Sequence, residues 1–123
     1  MKRLFPAAIL FLFMALAATR AQAAGDPARG AALYAEDCSA CHTADADQRG
    51  PHHRGLFNRP AGSVPGFEYS DALRDAGFTW TDQLLDAWLT DPEALLPGQD
   101  MNVSVEEAQD RADLIAYLKT LQP

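Results

Sequence analysis

The sequence predicts an all-α fold with four to five helices separated by long irregular loops. Three observations lead to this prediction: helix-start signals recur along the chain, apolar residues repeat at helical rather than alternating spacing, and Gly and Pro collect between the helical segments. The chain has 123 residues, which suits one domain with a modest core.

The first 23 residues are predicted to be a secretory signal peptide, which leaves residues 24–123 as the functional domain. Met1-Lys2-Arg3 is positively charged, the run from Leu4 to Ala18 is almost wholly apolar, and Ala21-Gln22-Ala23 offers small residues for cleavage. The apolar run is short for a bilayer span, although an uncleaved membrane anchor is the alternative. We therefore expect a periplasmic protein with no membrane span after cleavage.

The charge balance of residues 24–123 is strongly acidic. Seven basic residues face all 17 acidic residues of the chain, a net charge of −10. This balance argues against nucleic acid and anionic membranes as partners.

The first two predicted helices have clear start signals. Asp26 is a suitable N-cap with Pro27 at the first helical position, and this helix should run towards Cys38. Ser70 can cap a short helix, "DALRDA", which Gly77 ends.

Two further helices follow. One has apolar residues at helical spacing and stops before Asp91-Pro92; these residues are Trp80, Leu84, Leu85, Trp88 and Leu89. The last helix is predicted to start at a capping box, Ser104-Val105-Glu106-Glu107. Its predicted apolar face consists of Ala108, Ala112, Ile115 and Leu118, flanked by Leu114 and Leu121.

The loops are too long for an ordinary small helical domain. Residues 43–69 and 91–102 read as irregular, and such stretches argue against the assignment unless something organises them. A large apolar cofactor at the centre of the helices would do so.

The stretch "CSACH", from Cys38 to His42, holds the only two cysteines of the chain. C-x-x-C-H is the attachment signal of c-type haem, in which each thiol forms a thioether and the histidine ligates the iron. A disulfide would close a very small loop and stabilise little. A thioredoxin-like pair lacks its βαβ context, and a zinc site would have to draw on the adjacent His52 and His53.

Met101 is the only methionine beyond the predicted signal peptide. It lies in the Pro-Gly-containing stretch "LLPGQDMNV" rather than on a helix face, so a role as the second axial iron ligand is favoured over a place in the core.

With these residues identified, the chain from Gly25 onward resembles the soluble class I cytochromes c of the mitochondrial and photosynthetic-bacterial carrier type. The resemblance rests on segments in family order: "CSACHT", "RGPHHRGLFNRPAG", "PGFEYSDA", "FTWTDQLLDAWLTDPEALLPGQDM" and "RADLIAYLKTL". It implies the small cytochrome c fold, with helices and loops wrapped around one covalent haem. It also implies that Gly30 and Tyr34 on the first helix meet Leu114 and Tyr117 on the last.

The resemblance also implies roles around the haem. The carbonyl of Pro51 would accept the ring N–H of His42, while Arg59, Tyr69 and Trp80 would contact the haem propionates.

Departures from the family pattern occur in the same region. Trp88 replaces a tyrosine near the methionine, Gln99 replaces a threonine, and Val103 takes the place of an aromatic residue. His52-His53 replaces a polar–leucine pair, which predicts one exposed and one packed histidine.

A further departure is electrostatic. In the mitochondrial proteins this stretch carries lysines that attract acidic partner proteins. Here it has Asp91, Glu93 and Asp100 and no lysine, so the electrostatic attraction of partners is opposite in sign or absent.

The predicted function is that of a single-haem electron carrier rather than an enzyme. We expect a monomer that docks transiently at the haem edge with periplasmic or membrane-bound redox proteins. The alternatives are a dedicated cytochrome subunit of a periplasmic dehydrogenase, and a haem enzyme or gas sensor in which Met101 is displaced.

Overall fold

The computed structural model describes residues 24–123, and the predicted signal peptide lies outside the described residues. The described part contains five helices and no strand, with one isolated bridge between Pro60 and Thr79. The helices are α1 (Pro27–Asp37), α2 (Asp71–Arg74), α3 (Asp82–Thr90), α4 (Pro92–Leu95) and α5 (Ala108–Thr120). The all-α prediction is confirmed. Within residues 24–123, none of the helices combines the length and hydropathy needed to cross a membrane.

Helix α1 begins and ends where the sequence predicts. The Asp26 side chain accepts the backbone N–H groups of Ala28, at 2.9 Å, and Arg29, at 3.3 Å. Pro27 occupies the first helical position, where its missing N–H leaves no bond unmade. The helix therefore delivers Cys38 immediately after its last turn.

Helix α4 was not predicted, and the expectation that residues 91–102 are wholly irregular is wrong for Pro92–Leu95. Asp91 ends α3 in an extended conformation, and its side chain accepts the N–H of Ala94 at 3.1 Å. Pro92 follows at the first position, so α4 starts with the same Asp-Pro signal as α1.

The capping box predicted for the last helix is wrong, because α5 begins only at Ala108 and has no side-chain cap bond. The N–H of Val105 donates to the carbonyl of Leu89 at 2.7 Å instead of starting a helix. Arg111 Nη1 donates to the carbonyls of Val105 and Glu106 at 2.9 and 2.8 Å. These tertiary bonds hold the segment before α5 in a non-helical path.

The buried face of α5 is also rotated relative to the prediction. Ala108 is exposed and Ala112 is half-buried. The buried positions of the helix and its C-cap are Asp113, Leu114, Ile115, Leu118 and Leu121. The predicted flanking residues Leu114 and Leu121 are thus part of the core itself.

Helices α1 and α5 pack directly against each other at Gly30. A Cβ atom on Gly30 would overlap the backbone of Asp113 and lie 2.8 Å from the Cβ of Tyr117. Asp113 is 1% exposed and accepts from the N–H of Asp26, at 2.7 Å, and from Arg29 Nη1, at 2.5 Å. The absence of a side chain at position 30 therefore sets the distance between the two helices.

The long loop over residues 43–69 is tied to the rest of the molecule by backbone hydrogen bonds. Gly55 N–H donates to the carbonyl of Leu121 at 2.7 Å, and Ala61 N–H donates to the carbonyl of Phe78 at 2.8 Å. Trp80 N–H donates to the carbonyl of Arg59 at 3.1 Å. These bonds supply the organisation that such a long loop requires.

The close crossing makes a prediction for Gly30→Ala. Helix propensity alone would stabilise the protein by about 1 kcal/mol, but the overlap with Asp113 should reverse the sign and cost roughly 1–3 kcal/mol. Chemical denaturation of the purified protein measures this difference. Ala32→Gly, on the exposed face of α1, calibrates the propensity effect. An unchanged or increased free energy of unfolding for Gly30→Ala would contradict the crossing geometry.

Candidate functional site

A cavity of about 500 Å³ lies at the centre of the molecule and contains the residues of the C-x-x-C-H motif. Its apolar wall consists of Leu56, Trp80, Leu85, Trp88, Leu89, Leu114 and Leu118. Leu114 is 1% exposed, and both tryptophans are 6% exposed. These residues also form the hydrophobic core, so the core of this protein is the wall of the cavity.

The two cysteines and His42 lie on one turn after α1. The N–H groups of Cys41 and His42 both donate to the carbonyl of Cys38, at 3.1 and 2.9 Å. This turn brings both thiols and the imidazole to the cavity, as attachment of a cofactor at this motif requires.

The alternative interpretations of the cysteine pair lose support. Cys38 and Cys41 are free thiols. Burial, and next the charge of Asp37, raise the pKa of the Cys38 thiol to about 11, whereas a redox-active pair needs a lowered pKa. In the part of the chain that the structure describes, no group of three or more His, Cys, Asp or Glu side chains has the arrangement that a zinc ion requires.

The ring of His42 is fixed by the backbone of the next loop. Its Nδ1 atom lies 2.8 Å from the carbonyl oxygen of Pro51. Gly50 packs against the ring so closely that a Cβ atom there would overlap the imidazole. Burial lowers the pKa of His42, which favours the neutral ring. With Nδ1–H donating to Pro51, the Nε2 lone pair is left for a metal ion.

The neighbouring histidines have different environments. His53 stacks on His42 with ring centroids 4.2 Å apart, and its Nδ1 lies 2.8 Å from the Tyr34 hydroxyl. Burial lowers the pKa of His53 to about 3, so this ring is neutral. His52 instead pairs with Asp47 at 2.7 Å and is partly exposed.

Met101 lies on the cavity wall about 60 residues after the motif, in a loop that Gln99 organises. Gln99 is 5% exposed; its Nε2 donates to Asn102 Oδ1 at 2.6 Å, and its Oε1 accepts the N–H of Asn102 at 2.9 Å. Gln99 Nε2 also donates to Glu93 at 3.1 Å. Gln99 and Asn102, which lie on either side of the methionine in the sequence, are thereby held in place.

The aromatic residues predicted around the haem all line the cavity. Trp80 and Trp88 meet edge to face at 5.7 Å. Neither indole N–H has a protein acceptor among residues 24–123, so each remains available to a bound group. The Tyr69 hydroxyl accepts the N–H of Val64 at 3.1 Å, which leaves its own proton free to donate.

Two predicted residues do not belong to the wall. Pro51 does not line the cavity; its carbonyl accepts the hydrogen bond from His42 Nδ1. Arg59 is half-buried, and its guanidinium donates to the carbonyls of His52, at 3.0 Å, and Arg54, at 3.4 Å. The propionate contact of Arg59 therefore stays a prediction.

Sequence reasoning missed three exposed residues that line the cavity and therefore lie at its opening. They are Arg49, Asp37 and Glu68. Val103, which the sequence singled out as standing in the place of an aromatic residue, also lines the opening. Val103, at 42% exposure, is the one large hydrophobic residue of the described part that is exposed. Spacing alone gave no signal for Arg49, Asp37 and Glu68, because charged residues are common on any solvent-facing loop.

The cavity fits a covalently attached haem. Its volume lies within the range of about 300–1,000 Å³ usual for cofactor sites. It is mainly apolar, and it presents two thiols, an imidazole and a thioether. Another depression, of about 560 Å³, lies at the α1–α5 crossing, but it is open and lined mainly by charged residues such as Asp110 and Arg29. It contains none of the motif.

An all-helical shell around an apolar cavity with a C-x-x-C-H motif defines a protein with covalently bound haem. The Cytochrome c family profile matches residues 27–122. The chain belongs to the cytochrome c family and is a class I cytochrome c that carries covalent haem c; it is a single-haem electron carrier.

Individual relatives agree with this assignment. The chain is 41% identical over 104 residues to cytochrome c2 of Rhodomicrobium vannielii, covering 81% of this chain and 82% of that protein. It is 40% identical to cytochrome c of Chlamydomonas reinhardtii, covering 78% and 89% of the two chains. The structure of cytochrome cH from Methylobacterium extorquens superimposes with a TM-score of 0.74 at 38% identity, covering 78% of this chain and 99% of that one.

The motif makes a prediction for the double variant Cys38→Ala/Cys41→Ala. Without both thiols no thioether can form, so the polypeptide should lose its covalent haem and accumulate as an unfolded or degraded chain. Haem staining of a denaturing gel, from cells competent in cytochrome maturation, measures the attachment. Ser39→Ala, an exposed change inside the motif, should stain like the unaltered protein. A double variant that folds normally without haem would contradict a core organised around the cofactor.

Proposed function

We propose that this protein is a periplasmic electron carrier with His42 and Met101 as the axial iron ligands, formed as residues 24–123 after cleavage of residues 1–23. The observation that carries the proposal is the convergence of Cys38, Cys41, His42 and Met101 on one cavity. The apolar N-terminal run supports export, and the family match begins at residue 27, beyond the proposed cleavage site.

The residues of this chain have separate tasks in the proposal. Cys38 and Cys41 hold the haem covalently, and bound haem supplies a one-electron iron couple. His42 offers Nε2 because Pro51 engages Nδ1 at 2.8 Å, which also makes the imidazole a stronger donor. Met101 offers a thioether, a ligand that raises the reduction potential.

The apolar wall excludes water and fixes the geometry. The side chains of Leu85, Leu114 and Leu118 are buried and line the cavity, so apolar groups rather than water would surround a bound haem on this side. A low-dielectric surrounding disfavours additional charge and thus favours the reduced iron. A rigid wall also limits the rearrangement that accompanies each electron transfer, which suits a carrier rather than an enzyme.

The charges at the opening indicate the kind of partner. Asp37, Glu68 and Asp100 line the cavity and are exposed, and none of these three rim carboxylates has an ion pair within residues 24–123. Among the described residues that line the cavity, Arg49 is the only lysine or arginine. Five of the seven basic residues are in ion pairs with acidic residues elsewhere: Arg29, Arg54, Arg74, Arg111 and Lys119. We infer transient docking with redox proteins that carry a basic surface.

Met101→Ala tests the axial ligand. Loss of the thioether should give a high-spin or misligated iron and abolish the weak near-infrared band of sulfur–iron ligation. The reduction potential should fall by roughly a few tenths of a volt, within the roughly 0.8 V range that axial ligands span. Absorption spectroscopy and potentiometry of the purified protein measure both effects.

The control for this variant is Ser104→Ala, an exposed change in the same segment that offers no ligand. Unchanged spectra for Met101→Ala would refute the assignment. Rapid carbon monoxide binding by the unaltered protein would instead support the enzyme or sensor alternative. Co-purification as a stable complex would select the dehydrogenase subunit.

The rim carboxylates predict that the rate of electron transfer with charged reagents depends on ionic strength. Reduction of the oxidised protein by the cation hexaammineruthenium(II) should slow as ionic strength rises, because screening shortens the Debye length from about 10 Å at 0.1 M to about 3 Å at 1 M. Reduction by the anion ferrocyanide should not slow in this way. Stopped-flow absorbance measures both second-order rate constants.

A matched pair of variants assigns the effect to the rim. Asp37→Asn/Glu68→Gln/Asp100→Asn should weaken the salt dependence with the cation. Asp75→Asn/Glu106→Gln/Glu107→Gln removes the same charge from exposed positions off the cavity wall and should preserve most of it. Equal responses of the two triple variants would mean that overall charge, not the rim, governs the encounter.

A further inference from the structure

We propose that His53 is a positioning residue that fixes the ring plane of His42, and that Tyr34 fixes His53 in turn. This inference rests on the proposed role of His42 as an iron ligand. It concerns a position at which the sequence departs from the leucine expected of its family, so the usual pattern does not account for the residue.

The first step is the contact between the two histidine rings. Their centroids are 4.2 Å apart and their planes differ by 22°, which is a stacked arrangement. A ring that turned about its own Cβ–Cγ axis would collide with a nearly parallel neighbour at this distance. His53 therefore restricts the rotation of the His42 ring, together with the hydrogen bond to Pro51 and the contact with Gly50.

The second step is what holds His53. Its backbone N–H donates to the carbonyl of Thr43 at 3.1 Å, and its carbonyl accepts the N–H of Leu56 at 3.0 Å, so the main chain is anchored at both polar groups. The ring is oriented by the hydrogen bond of 2.8 Å between Nδ1 and the Tyr34 hydroxyl. No other hydrogen bond within residues 24–123 engages either of these two side-chain groups.

The third step is the anchorage of Tyr34. It is 6% exposed on α1 and packs against Tyr117 of α5 with centroids 5.1 Å apart. Its hydroxyl is thus fixed by the same crossing of α1 and α5 that Gly30 makes possible. The helix crossing, Tyr34, His53 and His42 form one continuous line of contacts.

A purely space-filling role would not require these groups. A leucine fills such a position without desolvating a polar atom. A largely buried imidazole instead needs a partner, and an unpaired buried hydroxyl is destabilising. Here the two polar groups satisfy each other. The hydrogen bond to the Tyr34 hydroxyl also fixes the plane of the His53 ring. A leucine side chain has neither a ring plane nor a polar atom by which it could be oriented.

Proton NMR of the oxidised protein tests the proposal, since the orientation of an axial imidazole governs how unpaired spin spreads over the porphyrin and hence the shifts of its ring methyl groups. Tyr34→Phe keeps the aromatic ring and removes only the hydroxyl, so the fold should survive. His53→Leu removes the stacked ring. Both should change the spread of the methyl shifts and move the reduction potential, and the double variant should match His53→Leu alone because Tyr34 acts through His53.

The matched control is Tyr117→Phe, which removes a hydroxyl from the ring next to Tyr34 but none that binds His53; its methyl shifts should equal those of the unaltered protein. If Tyr34→Phe and His53→Leu lower only the free energy of unfolding and leave shifts and potential unchanged, the residues are structural and the proposal is overturned.

The near-infrared band separates this outcome from failure of the proposed function. If the unaltered protein lacks the band, the axial assignment fails and this inference falls with it. If the band is present and the shifts do not respond, only the role of His53 is refuted.

Discussion

The hydrophobic core of this protein surrounds a cavity, and the remaining features follow from that constraint. Leu85, Leu114, Leu118 and the two tryptophans serve both as core and as cavity wall. At about 24 cal/mol per Å³ of unfilled space, a volume of about 500 Å³ corresponds to an upper figure of roughly 12 kcal/mol. That is comparable with the free energy of unfolding of a typical domain. The cofactor is therefore needed for the stability of the fold as well as for electron transfer.

Electrostatics divide the surface into two kinds of region. Away from the cavity, several aspartates are paired with the few basic residues, as in Arg111–Asp86 and Arg54–Asp45. At the opening, Asp37 lies at the carbonyl end of α1, where a negative charge opposes the helix dipole. A carboxylate at this position destabilises the helix and has no compensating ion pair. Its charge therefore fits a role in attracting redox partners better than a role in folding.

The sequence was informative where a local signal decides the structure. Asp26-Pro27 predicted the start of α1, and the C-x-x-C-H spacing predicted the cofactor. Asp91-Pro92 carries the same start signal, but a helix of four residues gives no periodicity to support it. Ser104 failed as a cap because Val105 bonds to Leu89, a residue on another element. The stacking of His53 on His42 was equally unpredictable, because it depends on how a loop closes over the motif.

The contact between Arg29 on α1 and Asp113 on α5 joins residues 84 positions apart, and this separation has a kinetic consequence. Closing a loop of that length costs about 4 kcal/mol of chain entropy by the logarithmic rule, before any contact at the crossing can compensate. Helical proteins usually fold quickly because their contacts are local. In this protein the tightest helix–helix contact is one of the most remote along the chain, so joining its two ends should be the slow event in folding.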